Sequence, residues 1–122
     1  MAKRILLVGD DRDILDLLRY NLEAEGYETM TATDGPGALE LAQNRPDLII
    51  IELILPGKNG WEIIRQIREK DPAGHISVIF LTAKGKKLDD LTGPNLDAEE
   101  LIAKPFSIRK LLTRVNAVLE KN

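Results

Sequence analysis

Three nearly continuous aliphatic runs, ILLVG at 5–9, LIIIEL at 48–53 and SVIFLTA at 77–83, recur along the chain with amphipathic stretches between them. A run of large aliphatics without polar alternation offers no face to water, as in a central parallel strand covered on both sides. Two further short runs, YETMTAT at 27–33 and ELIAK at 100–104, bring the expected strands to five. The intervening stretches have helical spacing: Ile14, Leu15, Leu18 and Leu22; Ala38, Leu39, Leu41 and Ala42; Trp61, Ile64 and Ile67; and Ile108, Leu111, Leu112, Val115, Val118 and Leu119. Each set forms one apolar stripe of a helix.

Local punctuation agrees with these bounds. Gly26 follows the first helix, Asp34-Gly35 and Arg45-Pro46 bracket the second, Asp71-Pro72 ends the third, and Ser107 can cap the last. In KKLDDLTGPNLDA, Gly93-Pro94 breaks any helix, so a short fourth helix over about 86–92 and then an irregular turn are expected.

Strand–helix alternation implies a parallel sheet with helices on both faces and right-handed crossovers. Five strands suit a doubly wound, flavodoxin-like sheet of order 2-1-3-4-5, with residues 1–122 as one domain. Its switch point lies between strands 1 and 3, and ligands of such sheets bind at the carboxyl ends of the strands.

Composition narrows the classes. The 43% apolar and 30% charged content is that of a soluble protein, and no apolar stretch approaches the roughly 18 residues needed to span a bilayer. The start MAKRILLVGDD meets paired acids too soon for a signal peptide, and there is no cysteine, so a cytoplasmic location is expected. Seventeen basic against 20 acidic side chains leave a net charge of −3, unlike the basic footprint of a nucleic-acid binder.

The polar residues that end or interrupt the apolar runs should gather at one rim. Asp10 and Asp11 follow strand 1, Glu52 stands near the end of strand 3, Thr82 ends strand 4 and Lys104 ends strand 5. Close carboxylates repel, so their pKa values rise or a cation joins them. Mg²⁺ prefers a few carboxylate oxygens with retained waters, and it commonly serves phosphate chemistry. A threonine hydroxyl and a lysine ammonium suit phosphoryl oxygens.

LLVGDD, PDLIIIELILPGKNG, VIFLTA and AKPF stand in this order along the chain. With these four motifs the whole chain resembles the CheY-like receiver domain of two-component response regulators. The resemblance implies that Asp10, Asp11 and Glu52 hold Mg²⁺ with the main-chain carbonyl of Ile54. It implies that Thr82 and Lys104 sense and neutralise a phosphoryl group, and that Lys104-Pro105 is cis. It further implies a sensor histidine kinase or phosphotransfer protein as phosphoryl donor, and homodimerisation through the fourth helix, strand 5 and the last helix. The ending KPFSIRKLLTRVNAVLEK is similar to that of receivers that continue into DNA-binding output domains. Direct nucleic-acid binding, membrane binding and enzymatic turnover by this domain are not expected.

The sequence departs from the family pattern in three places. Glu52 occupies the position of the phosphate-accepting aspartate; its extra methylene adds about 1.5 Å of reach, against an attack geometry that tolerates little misplacement. The longer arm is expected to intrude toward Thr82 and Lys104, where it would imitate a phosphoryl group. Three readings stay open: a natural lock in an active-like state, a natural inert scaffold, and an engineered change in an ordinary receiver. Leu101 stands where the family has an aromatic switch residue, which mutes any readout along strand 5. The TGPN break, with Asp97 where glycine is usual, alters the fourth helix.

Simpler roles stand beside these. A single acid at a strand–helix junction caps the helix; here the adjacent pair points to metal. Thr82 alone is a β-former and Lys104 alone a surface lysine, and only their registration with the acids promotes them. Pro56-Gly57 and Asn59-Gly60 read as turn chemistry, Trp61 and the Ile64 stripe as core, and His75 and the basic face Arg109, Lys110 and Arg114 as solvated. Two rivals use the same fold. A small phosphoryl-transfer or hydrolase enzyme needs a DxD-type arrangement, which Asp10-Asp11 does not provide. A flavin or nucleotide binder needs a Gly-rich first loop, which is missing.

Overall fold

The computed structural model describes residues 2–55, 58–70, 76–82, 100–103 and 106–120, with the main chain alone for Ile54, Lys58, Glu100, Leu101 and Ala103. The expected helix over 86–92, the Gly93-Pro94 break, Asp97, Asp71-Pro72, Pro56-Gly57, His75 and Lys104-Pro105 lie outside the described residues.

Five parallel strands form the sheet: β1 (Arg4–Val8), β2 (Glu28–Ala32), β3 (Leu48–Glu52), β4 (Ser77–Thr82) and β5 (Glu100–Ala103). Their order is β2-β1-β3-β4-β5, as the sequence predicts. The central strands β3 and β4 are buried throughout, whereas the edge strand β2 is buried only at Ala32. This matches continuous aliphatics in the former and mixed ETMTA in the latter.

Side chains alternate across the pleat and so divide the core into two layers. Ile5, Leu7, Leu48, Ile50, Ile79 and Leu81 face α1 (Arg12–Ala24) and the C-terminal helix, Ile108–Glu120. Those helices contribute Leu15, Leu18 and Leu22, and Leu111, Val115 and Leu119. Leu6, Val8, Ile49, Ile51, Val78 and Phe80 face the other way, onto Ala38 of α2 (Gly35–Ala42) and Ile63, Ile64 and Ile67 of α3 (Gly60–Lys70). Trp61, expected in the core, packs against this second layer only partly buried.

The expected caps form. Asp34 accepts from Gly37 N at 2.7 Å with Pro36 in the first turn of α2, and Ser107 Oγ accepts from Lys110 N at 3.3 Å. Gly26 closes α1 at φ +95°, a left-handed conformation that glycine adopts without a Cβ penalty. A two-residue antiparallel ladder, Ile54–Leu55 with Lys58–Asn59, was not expected from the sequence; it carries the chain from β3 into α3.

The carboxyl-end rim of the sheet

Asp10 and Asp11 follow β1 after Gly9, Glu52 ends β3 and Thr82 ends β4, so the fold delivers all four to the carboxyl end of adjacent strands. Val8 pairs with Ile51, which makes Gly9 and Glu52 the next step along β1 and β3. Glu52 pairs with Leu81, one residue before Thr82. Of the remaining expected site residues, Lys104 lies outside the described residues. The main chain of Ile54 is in the short ladder opposite Asn59, and that of Leu101 pairs with Phe80 in β5.

Burial differs sharply around this rim. Glu52 is 6% exposed and Thr82 4%, while Asp10 and Asp11 face solvent. Asp11 takes the simpler of its two expected roles at one oxygen: Oδ1 accepts from Asp13 N at 3.0 Å and Ile14 N at 3.3 Å, capping α1. Its second oxygen takes no part in that cap. Among the described residues no three acids, histidines or cysteines stand close enough to grip an ion by side chains alone.

The Glu52 arm goes where the sequence did not suggest. A Cβ built on Gly9 would stand 3.1 Å from its Cγ, 3.2 Å from its Cδ and 3.4 Å from its Oε1, so the carboxyl arm leans over the bare backbone of Gly9, just past the end of β1. Among the described residues Thr82 Oγ1 is buried without a hydrogen-bond partner, so the arm does not bond to it, and the expected reach toward Lys104 falls outside the described residues. Strand alternation gives the reason, assigning Glu52 to the layer of Leu48 and Ile50 and Thr82 to that of Val78 and Phe80.

Two glycines set this geometry; from the sequence, Gly60 reads as turn chemistry and Gly9 has no role of its own. A Cβ on Gly60 would fall 2.3 Å from the main-chain oxygen of Glu52, so the start of α3 packs on the end of β3 only with glycine there. Gly60 N also donates to Leu53 O at 2.6 Å. Asn59-Gly60 is thus more than turn chemistry. For Gly9 a signal existed: a glycine at the end of an aliphatic strand marks a close approach.

The donor chemistry suits a hydrated Mg²⁺, which takes one or two carboxylates and keeps water in its other positions. The Thr82 hydroxyl, buried at the end of β4 without a hydrogen-bond partner among the described residues, is the kind of group that an incoming oxyanion would satisfy.

Comparison with known proteins agrees with this architecture. The response regulator receiver domain family matches residues 5–116. A chain from Chloroflexus aurantiacus J-10-fl classed as a response regulator is 30% identical with a TM-score of 0.88, covering 98% of this chain and 99% of that one. The chemotaxis protein CheY4 of Vibrio cholerae is 28% identical with a TM-score of 0.87, covering 98% and 100%. NtrX of Brucella abortus is 31% identical with a TM-score of 0.86, covering 99% of this chain and 27% of the NtrX chain. The chain belongs to the response regulator receiver domains of two-component signal transduction.

Proposed function

We propose that this receiver signals without ordinary aspartyl phosphorylation, because Glu52 stands at the acceptor position with its carboxyl arm laid over Gly9. An acceptor must present its oxygen in line with the phosphorus, and small misplacements there cost rate steeply. A carboxyl group held on the β1 side and absent from Thr82 does not meet that requirement. Asp10 and the Asp11 oxygen not used in the helix cap, with the Ile54 carbonyl, would hold Mg²⁺ weakly through retained water. Bound there, the ion would supply charge neutralisation for a phosphoryl group. Thr82 and Lys104 would serve the phosphoryl oxygens.

Receiver domains are signalling modules served by histidine kinases or phosphotransfer proteins, and we read this chain as one domain of that kind, acting in the cytoplasm by contact and without turnover. No helix among the described residues is long and apolar enough to cross a membrane. In NtrX the matched part is about a quarter of a longer chain, which supports a role in relaying state to further domains. The contact surface we assign is the segment 86–92, read from the sequence as a fourth helix, with β5 and the C-terminal helix; β5 supports this as an edge strand with one side unpaired in the described sheet. Leu101, in β5, is the residue we assign to the switch position.

Incubation with acetyl phosphate and Mg²⁺ tests the central reading. The intact mass of the parental chain stays unchanged, while Glu52→Asp gains an acid-stable, base-labile phosphoryl group. Ready labelling of the parental chain refutes the proposal.

A further inference from the structure

Neighbouring parallel strands lie roughly 4.8 Å apart, so a long side chain can lie across the adjacent strand only where that strand leaves room. Gly9 is buried and stands one step beyond the last register pair of β1 with β3. All three Glu52 atoms near its missing Cβ belong to the part of the side chain beyond Cβ; the approaches to Cγ and Cδ are tighter than ordinary van der Waals contact, and that to Oε1 is an ordinary contact.

We propose that Gly9 is the positioning residue for Glu52. The side-chain space left empty at position 9 seats the longer acid and keeps its carboxyl on the β1 side of the rim, clear of the Thr82 hydroxyl. Positions 9 and 52 thus form a size-matched pair, and glutamate is the acid that this rim is shaped to hold. A side chain at position 9 evicts the arm from its seat. The seat is argued from the packing of position 9 against the Glu52 arm; its consequence, a carboxyl withheld from the phosphoryl position, rests on the reading of the rim given above.

Thermal unfolding of the parental chain, Gly9→Ala, Glu52→Ala and the double variant tests the pair. Gly9→Ala lowers the midpoint of the parental chain by roughly 4 °C or more, and by less than half as much when Glu52→Ala has already removed the contacted atoms. A Gly9→Ala protein that fails to fold and is rescued by Glu52→Ala is the same result in a stronger form. Equal losses in the two backgrounds, or no loss in either, overturn the seat.

Side-chain carboxyl ¹³C resonances give a second measurement that a generally loosened fold would not reproduce. In Gly9→Ala the Glu52 signal moves, while that of Asp47, which accepts from Arg4 N at the opposite edge of the sheet, stays in place. A Glu52 signal that does not move also overturns the proposal. A flat Mg²⁺ titration would remove the metal reading and leave both measurements as decisive as before.

Discussion

Asp11 carries two roles that a single substitution can separate. Its Oδ1 satisfies two otherwise orphaned N–H groups at the start of α1, and its negative charge sits at the positive end of that helix's dipole. Asparagine caps about as well as aspartate, whereas alanine forfeits about 1 kcal/mol. Asp11→Asn should therefore unfold close to the parental midpoint, and Asp11→Ala roughly 4 °C lower. Both should lose Mg²⁺ affinity. Urea or thermal melts with parallel Mg²⁺ titrations check this; a variant that keeps the cap and also keeps the affinity would confine Asp11 to a structural role. The same contrast explains why residue types alone were an incomplete guide to the rim. Asp10, Asp11, Glu52 and Thr82 were legible because each breaks an apolar pattern, and the strand ends bring such breaks together. The direction of the Glu52 arm was not legible, because it depends on Gly9, which lies 43 positions away and contributes only missing volume.

At the scale of elements, the five strands and their order followed from aliphatic runs and alternation, and the observed bounds differ from expectation by one residue at most ends. What patterning misses is where elements distant in the chain are tied to one another by polar side chains. Tyr27, just ahead of β2, donates its hydroxyl to Asn116 Oδ1 on the C-terminal helix, joining elements 89 residues apart. Neither residue interrupts an apolar pattern, so neither attracts notice in the sequence. Burial raises the pKa of this phenol above 10.0, and the nearby charges of Glu25 and Glu120 push it the same way. A pKa raised in the folded state means that the fold favours the protonated phenol. That contribution is fully present below about pH 10 and is lost as pH rises through the folded-state value. Tyr27→Phe should cost about 1 kcal/mol at neutral pH by deleting the hydrogen bond, and the gap from the parental chain should narrow above pH 10. Denaturant midpoints measured from pH 7 to 11 check both; a gap that stays constant would mean that the phenol's ionisation is not coupled to folding.

The molecule as a whole divides its labour between a core that specifies the sheet and a rim that the sheet exposes. The two apolar layers need no ion to form, since every central strand is closed by helices on both faces. Mg²⁺ should accordingly be an addition to a folded protein and not a condition of folding. An overall charge of −3 attracts cations in general, so the specific effect has to be separated from screening. A ligand that binds only the native state stabilises by mass action. With a dissociation constant of about 1 mM, 10 mM Mg²⁺ contributes about 1.4 kcal/mol, a rise of roughly 5 °C in the unfolding midpoint of a domain this size. NaCl at matched ionic strength should give much less. The rise should shrink in Asp11→Asn, which retains the helix cap and the core and lacks one hard oxygen charge at the rim. Equal rises with Mg²⁺ and NaCl, or equal rises in the parental chain and Asp11→Asn, would reduce the acidic rim to ordinary surface charge and remove the metal from the proposed signalling chemistry.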